Sequence, residues 1–313
     1  IAGFSPRLFD YDWRRSVIDL GRALATEVAH DASPHIQVVA HSMGGLVARA
    51  ALALPGGERI ERLVMLGTPN SGSFAPVQAL RGTYAVVRKL AALDQMHTAE
   101  TLASEVYSTF PGLYELLPAE GTTAVDLFDP AVWPARGPRP EPALLAAARS
   151  SLRGLASADT RMALIAGYGR PTVTGVRRSG ADFEYLVTRN GDGSVPLALA
   201  ELPGVRTWYI REGHSELTTN DVVASAVIDL LRAGRTQRLS AAPPAPTRAV
   251  ARICDSALRR TWQHKVDWHS LSTDERREFL ETLNDPPRLQ LRAPPRASRP
   301  SIKITNFWPV SCA

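Results

Sequence analysis

The sequence predicts an α/β fold in which a mostly parallel sheet is covered by helices on both faces. Short apolar runs, such as residues 35–40 and 62–66, alternate with longer amphipathic stretches, such as residues 13–30. Turn signals, such as Pro55-Gly56-Gly57, separate these runs. Strands that alternate with helices of this length form βαβ units, so we expect neighbouring strands to run parallel.

The predicted elements occupy residues 1–232, which we expect to form the main domain. A first strand is predicted to end over residues 8–11, and a second helix is predicted to begin at Gly44. After an interruption, the pattern resumes with two strands and an amphipathic helix, at residues 162–166, 205–210 and 220–231.

Two segments depart from this alternation. Residues 73–160 contain Ala- and Leu-rich helical pieces punctuated by prolines, which predicts a helical insertion into the sheet domain. Residues 233–313 are rich in Pro, Ala and Arg, and we expect a linker followed by a short helical segment there. Ser272 and Glu275 have the spacing of a capping box at the start of that helix.

Composition limits the classes of function. With 313 residues, 44% of them apolar, the chain is long enough for one large core and a smaller appendage. No apolar run is long enough to cross a membrane, so we expect any membrane contact to be peripheral. The net charge of +5 comes from the tail, because residues 232–313 hold 15 Lys and Arg against 7 Asp and Glu. For that tail a solvated linker and a contact with an anionic surface are both open, and nucleic-acid binding is not expected.

Cofactor chemistry is not indicated by any motif. Cys254 and Cys312 are the only cysteines, which excludes a disulfide framework and a Cys/His metal site. The glycine pairs of the sequence lie at turns and do not form a phosphate-binding loop, so we expect neither a nucleotide nor a metal. Cellular compartment and oligomeric state do not follow from the sequence.

The most informative stretch runs from Val38 to Gly45, where an apolar strand, a serine in a sharp turn and a helix follow one another. Small residues, Ala40 and Gly44, lie two positions before and after the serine, as a strained turn between a closely packed strand and helix requires. This pattern predicts that Ser42 is the nucleophile of a nucleophile elbow and that the Met43 N–H is an oxyanion donor. A serine that merely ends a strand is the alternative.

A serine hydroxyl needs a histidine to take its proton and a carboxylate to orient that histidine. Both partners should follow the serine, and His214 fits because it lies in a loop just past the strand predicted at residues 205–210. Asp192 precedes His214 by 22 residues and is flanked by two glycines, which let the backbone turn a carboxylate inward. The weaker alternatives are Asp126 and Asp129, within the insertion, and Asp182, beside an apparent hairpin.

A series of segments spanning about residues 9–232 points to one family. In chain order they are Tyr11-Asp12-Trp13-Arg14, residues 40–49, 67–73 and 110–118, Gly191-Asp192-Gly193-Ser194-Val195-Pro196, and Gly213-His214. In this order they resemble the lecithin:cholesterol acyltransferase-like family of α/β-hydrolases, which includes phospholipases and acyltransferases. The elbow alone is shared with many lipases and esterases, whereas the first, fourth and fifth segments are more specific.

The resemblance implies an α/β-hydrolase fold with a Ser42/Asp192/His214 triad and a cap over an acyl-chain pocket. Trp13, Leu113 and Leu117 are then candidate substrate-binding residues. The alternative is that such apolar residues simply form the core of a small helical cap.

The sequence also departs from the family. Ala40 replaces the usual glycine of the elbow, and the two cysteines do not correspond to the paired cysteines of secreted animal members. A bacterial-type lipase therefore fits better than an enzyme of plasma lipoproteins.

We therefore expect a serine hydrolase or acyltransferase that cleaves an acyl ester, of a lipid above all, through an acyl-serine intermediate. An amidase or peptidase with the same triad, and a non-catalytic interaction module, are the alternatives. An α/β-hydrolase takes its second oxyanion donor from a loop after its third strand, and only one predicted strand precedes the elbow strand. We expect that donor and the N-terminal strands to lie upstream of Ile1, which would leave the chain poorly soluble and nearly inactive.

Overall fold

The computed structural model describes residues 3–248, 251–260 and 265–281. Their strands form a four-stranded sheet of order β1-β2-β3-β6 and a three-stranded sheet of order β4-β5-β7. In chain order the strands are β1 (Ile36–His41), β2 (Ile60–Leu66), β3 (Met162–Gly167), β4 (Thr172–Ser179), β5 (Asp182–Thr188), β6 (Thr207–Ile210) and β7 (Ala251–Cys254).

The α-helices alternate with the strands of the larger sheet and also fill the insertion between β2 and β3. No helix in the described ranges is both long and apolar enough to cross a membrane. In chain order the helices are α1 (Val17–His30), α2 (Met43–Leu52), α3 (Ala75–Leu80), α4 (Ala85–Leu93), α5 (Ala99–Glu105), α6 (Pro111–Tyr114), α7 (Pro142–Arg153), α8 (Leu197–Ala200), α9 (Asp221–Ala233), α10 (Asp255–Arg259) and α11 (Thr273–Glu281).

The larger sheet is parallel throughout and buried between two helical layers. Along β2, Leu63 and Met65 pack with α1 and α2 on one face, whereas Val64 and Leu66 pack with α9 on the other. Successive side chains of a strand point to opposite faces, so a strand covered on both sides must be apolar at every position. This explains why the predicted strands appear in the sequence as unbroken apolar runs.

The helices of residues 73–160 pack together as a layer that we call the cap, and this cap extends beyond the insertion. Helices α3 to α7 share one apolar core with the hairpin β4–β5, which follows β3. Trp133 from the insertion and Phe183 from the hairpin meet edge to face, with ring centroids 5.5 Å apart. The hairpin is therefore part of the cap, although it is separated from residues 73–160 by a strand of the main sheet.

The prediction of a strand over residues 8–11 is wrong. This segment has no regular secondary structure in the described chain. The rings of Phe9 and Tyr11 stack with centroids 6.1 Å apart and pack against the core of the main sheet, while Leu8 is exposed. The alternation of apolar residues therefore reflects a single segment lying on the core, without the pairing that defines a strand.

Helix α1 begins at Val17, four residues later than the sequence predicts, because its capping groups are there. The Ser16 Oγ accepts a hydrogen bond from the Ile18 N–H at 3.2 Å, and the Glu115 carboxylate accepts one from the Val17 N–H at 2.5 Å. A carboxylate at a helix N-terminus accepts hydrogen bonds from N–H groups that have no acceptor within the helix, and its negative charge is attracted by the positive end of the helix dipole. Glu115 lies beside α6, so this contact also ties the cap to the sheet domain.

Part of the tail is not the linker that the sequence predicts. Strand β7 adds to β5 in antiparallel register and completes the smaller sheet. The capping box at α11 is present, since the Ser272 N–H donates to the Glu275 carboxylate at 2.8 Å and the Glu275 N–H donates to the Ser272 Oγ at 3.3 Å. Cys312 lies outside the described residues. The sequence signal for β7 is weak, because a strand of four residues is stabilised mainly by its pairing with β5.

Candidate active site

Ser42 occupies a strained turn between β1 and α2. Its φ of 54° and ψ of −130° make it the one residue other than glycine with positive φ in the part of the chain that the structure describes. The Ser42 N–H donates to the Leu66 carbonyl at 2.9 Å, which fixes the turn to the end of β2. Strain of this kind persists only where surrounding contacts hold it, and it is concentrated at functional sites.

The small residues around Ser42 allow the elbow to approach β2 closely. A Cβ on Gly45 would lie 2.0 Å from the Thr68 Oγ1, so no larger residue fits without moving the strand end. Ala40, which stands where the elbow pattern has its first glycine, is buried in the core of the sheet domain. The departure at residue 40 is therefore accommodated by apolar packing.

Asp192 is almost completely buried, and its carboxylate is fully hydrogen-bonded. One carboxylate oxygen accepts from the N–H groups of Ser194 and Val195, at 2.9 and 2.7 Å. The other oxygen contacts the His214 Nδ1 at 2.8 Å. Backbone N–H groups hold this buried carboxylate in one direction, so its free oxygen orients the His214 ring.

His214 is fixed by both its backbone and its ring. Its N–H donates to the Asp192 carbonyl at 2.9 Å, and its Nε2 lies 2.9 Å from the Ser42 Oγ. Gly67 lies beside the contact between Asp192 and His214, and a Cβ there would be 3.1 Å from the His214 Nδ1. The structure thus brings together the three residues that the sequence selects, in the order carboxylate, imidazole, hydroxyl.

The alternative carboxylates are engaged elsewhere. Asp126 forms an ion pair with Arg149, and Asp129 caps a short 3-10 helix. Asp182 pairs with Arg259 and accepts from the Ser256 N–H. These contacts are structural, and none of them reaches His214.

Met43 is the first residue of α2, directly after the predicted nucleophile. The first N–H groups of a helix have no acceptor within the helix and carry its partial positive charge. The Met43 N–H is therefore suited to an oxyanion that forms on a carbonyl bound at Ser42. The second donor is not identified by the sequence.

An open cleft of about 1130 Å³ lies between residues 10–14 and the cap helices α4 and α5. Trp13 lines it and meets Phe110 edge to face, with ring centroids 5.6 Å apart. Ser42, Met43 and His214 do not line the cleft, but Tyr11 does, and its hydroxyl lies 3.3 Å from the position that a Cβ on Gly44 of the elbow would take. The remaining apolar lining comes from Leu90, Leu93, Leu102, Val106 and Tyr107.

Two of the predicted substrate-binding residues do not line this cleft. Leu113 and Leu117 are buried in the core of the cap, as the alternative interpretation of the insertion states. Leu113 lies within α6 and Leu117 lies three residues after its end, and both belong to the apolar core that the cap helices share. Four residues that line the cleft were not identified from the sequence: Leu102, Val106, Tyr107 and Phe110. Helical periodicity does not distinguish a residue that lines a cleft from one that fills a core.

His41 is a further residue that the sequence analysis left without a role. It ends β1 and is partly buried, and its Nε2 lies 2.9 Å from the backbone carbonyl oxygen of His214. The two imidazole rings have centroids 4.7 Å apart. Burial, with a smaller effect of the His214 charge, lowers the pKa of His41 to about 4, so its ring is neutral at physiological pH.

Comparisons with known proteins give one match to a family model and matches to solved structures. Residues 20–109 match a family model described as a PGAP1-like alpha/beta domain. Among solved structures, the mature form of the Bacillus licheniformis lipase BlEst2 is 15% identical, with a TM-score of 0.41, over 69% of this chain and 75% of that chain. The Tle4-Tli4 complex is also 15% identical, with a TM-score of 0.44, over 72% of this chain and 68% of that chain. Comparison with curated proteins gives no significant match.

The fold is established by the architecture of the chain itself together with the match to the family model. A parallel sheet is covered by helices on both faces, a strand, a strained turn and a helix carry Ser42, and a helical cap follows β2. The PGAP1-like match covers this part of the domain, from α1 to the cap. The chain therefore has an α/β-hydrolase fold.

Proposed function

We propose that this chain is a serine hydrolase that cleaves an acyl ester, of a lipid above all, through an acyl-serine intermediate. What carries the proposal is the continuous hydrogen-bonded chain from Asp192 through His214 to Ser42, with contacts of 2.8 and 2.9 Å. A serine at positive φ, with a histidine within hydrogen-bond distance and a buried carboxylate behind it, has the geometry of an activated nucleophile.

The proposed reaction uses these groups in sequence. The Ser42 Oγ attacks the ester carbonyl carbon while its proton moves to the His214 Nε2, and Asp192 stabilises the imidazolium that forms. The Met43 N–H donates to the carbonyl oxygen as it becomes an oxyanion. Collapse of this intermediate breaks the ester C–O bond, and the leaving alcohol takes the proton from His214. Water then attacks the acyl-serine with His214 as base, which releases the acid and restores Ser42.

The apolar cleft beside the elbow supports an acyl chain as substrate. Its lining is mostly aliphatic and aromatic, and two of its residues, Trp13 and Val106, are at least 40% exposed. Exposed apolar side chains at a cleft mouth favour a partner that brings apolar surface with it. The resemblance to the lecithin:cholesterol acyltransferase-like family points the same way and adds an alcohol as a possible acyl acceptor in place of water.

A fluorophosphonate probe and a series of substrates test the proposal. We expect the probe to label the chain and the Ser33→Ala control, in which an exposed loop serine is lost, but not Ser42→Ala. We also expect p-nitrophenyl esters from acetate to palmitate to be cleaved faster than the matching anilides. Faster cleavage of the anilides would favour an amidase, and absence of labelling would contradict the proposed function. Product analysis with an added alcohol separates transfer from hydrolysis.

A further inference from the structure

His41 is placed against the backbone of His214 and not against its reactive ring nitrogens. Its Nε2 lies 2.9 Å from the His214 carbonyl oxygen. A carbonyl oxygen only accepts hydrogen bonds, so the Nε2 must carry the proton and donate it. The contact therefore selects one tautomer of His41.

This contact completes the anchoring of His214. The His214 N–H is bonded to the Asp192 carbonyl, the Nδ1 to the Asp192 carboxylate, and the carbonyl to His41. The first two anchors come from one residue on one side of the loop. His41 supplies the third anchor from the end of β1, the strand that also carries Ser42. Because His41 and Ser42 are adjacent in the chain, the same segment holds the His214 backbone and presents the Ser42 Oγ to the His214 ring.

We infer that His41 is a positioning residue, whose Nε2–H holds the His214 backbone so that the imidazole stays in line with the Ser42 Oγ. This inference rests on the proposed function. A misplacement of about 1 Å in a catalytic group costs on the order of a hundredfold in rate. Because His214 is held at 2.9 Å from the Ser42 Oγ, release of its carbonyl would lengthen or tilt this contact.

The charge state of His41 fits this role. His214 and Asp192 are the charged groups that act on its ring, and burial together with His214 lowers the pKa of His41 to about 4. During the reaction His214 becomes an imidazolium. A second cation with its centroid 4.7 Å away would oppose that charge, whereas a neutral imidazole donates its hydrogen bond without repulsion.

Two complementary variants separate the hydrogen bond from the ring contact. His41→Phe keeps a ring beside His214 but removes the donor, and His41→Gln removes the ring but keeps a donor at a similar distance from the backbone. We expect His41→Phe to lower kcat on a short-chain ester by about 10- to 100-fold with KM changed less than about twofold, and His41→Gln to recover most of the loss. His35→Phe is the control, because His35 is exposed just before β1.

Active-site titration with the fluorophosphonate probe normalises each rate to correctly folded protein. Between pH 5 and pH 8 we expect the fall of kcat/KM toward acid pH to follow the binding of a single proton, both in the wild type and in His41→Gln. The reason is that His41 is already neutral in this range. Wild-type kcat in His41→Phe, or equal losses in Phe and Gln, would overturn the inference. If Ser42→Ala remains as active as wild type, the proposed function fails and the inference fails with it. If Ser42→Ala is inactive and His41→Phe is fully active, only the inference fails.

Discussion

Asp192 and Asp255 are both almost completely buried, one beside the elbow and one within the cap, yet their partners differ. Asp192 faces His214, whose imidazole is the kind of group that serves as a general base. Asp255 faces Arg81, a guanidinium that remains charged, and also accepts from the Tyr185 hydroxyl at 2.8 Å. In the proposed mechanism a buried carboxylate that faces an imidazole orients a base, whereas one that faces a guanidinium balances a buried charge.

The two regions also differ in how their residues are brought together. The elbow side uses loops at the carboxyl ends of parallel strands, where an α/β sheet concentrates reactive groups. The cap side joins α3, the hairpin β4–β5 and the tail helix α10 around the fully buried Arg81–Asp255 pair, with N···O at 3.0 Å. Changes on the elbow side should therefore affect rate, and changes on the cap side should affect stability or substrate preference.

The largest expected effect is that of Ser42→Ala. Loss of the nucleophile should lower kcat by about a millionfold, while the free energy of unfolding stays close to wild type because only a hydroxyl is removed. Rates on a p-nitrophenyl ester and a thermal melt measure the two quantities. Substantial hydrolysis by the pure variant would show that Ser42 is not the nucleophile.

Asp192→Asn should lower kcat by about ten-thousandfold, because the amide no longer holds His214 in the tautomer that accepts the Ser42 proton. The Asn oxygen can still accept from the Ser194 and Val195 N–H groups, so the loop should keep its shape. Combined with Ser42→Ala, the change should add almost nothing, since the residues act as one unit. Additive losses in the double variant would show that Asp192 acts independently of Ser42.

Asp255→Asn should act on stability and leave chemistry almost intact. It leaves the Arg81 guanidinium buried without its counter-charge, which costs about 3–5 kcal/mol in the free energy of unfolding. Asp19→Asn breaks an exposed ion pair with Arg22 and should cost no more than about 1 kcal/mol. Urea denaturation of both variants measures the difference. A loss of kcat per folded molecule in Asp255→Asn, without destabilisation, would contradict the structural role.

Val106→Ser should change substrate preference, because Val106 lines the cleft from the cap side. We expect kcat/KM to fall about tenfold for a dodecanoate ester and to stay unchanged for the acetate ester, which does not reach the lining. Met96→Ser is the control, since Met96 is highly exposed and does not line the cleft. Equal losses on both esters would make the cap a purely structural element.

The smallest expected effect comes from Glu115, which connects the two regions. Burial raises the pKa of this carboxyl, so the folded state binds its proton more tightly than the unfolded state does. The stability that this contributes is present below the unfolded pKa and is lost as pH rises through the raised folded value. From pH 4 to pH 7 the wild type should therefore lose stability relative to Glu115→Gln, which urea denaturation at several pH values measures. Glu27→Gln, which removes an exposed carboxyl, is the control substitution.

The residues of the elbow side were largely predictable from the sequence. Ser42 lies between small residues after an apolar strand, Asp192 lies between two glycines, and His214 follows the last strand of the sheet. Each of these signals is local, because a strained turn or a reversal of the backbone restricts which residues fit at neighbouring positions. Periodicity, which records which faces are buried, predicted the strands of the larger sheet and the helices between them, but it also predicted a strand at residues 8–11 that is absent and did not indicate β7.

Only the tertiary structure decided the rest. The sequence did not indicate that His41 contacts the carbonyl of a residue 173 positions away, or that Asp255 pairs with Arg81 across 174 positions. It also did not separate Val106, which lines the cleft, from Leu117, which fills the cap core. The physical reason is common to all three: hydrophobic patterning and turn chemistry specify what a segment needs from its surroundings, but the partner that supplies it is chosen only when distant segments pack together.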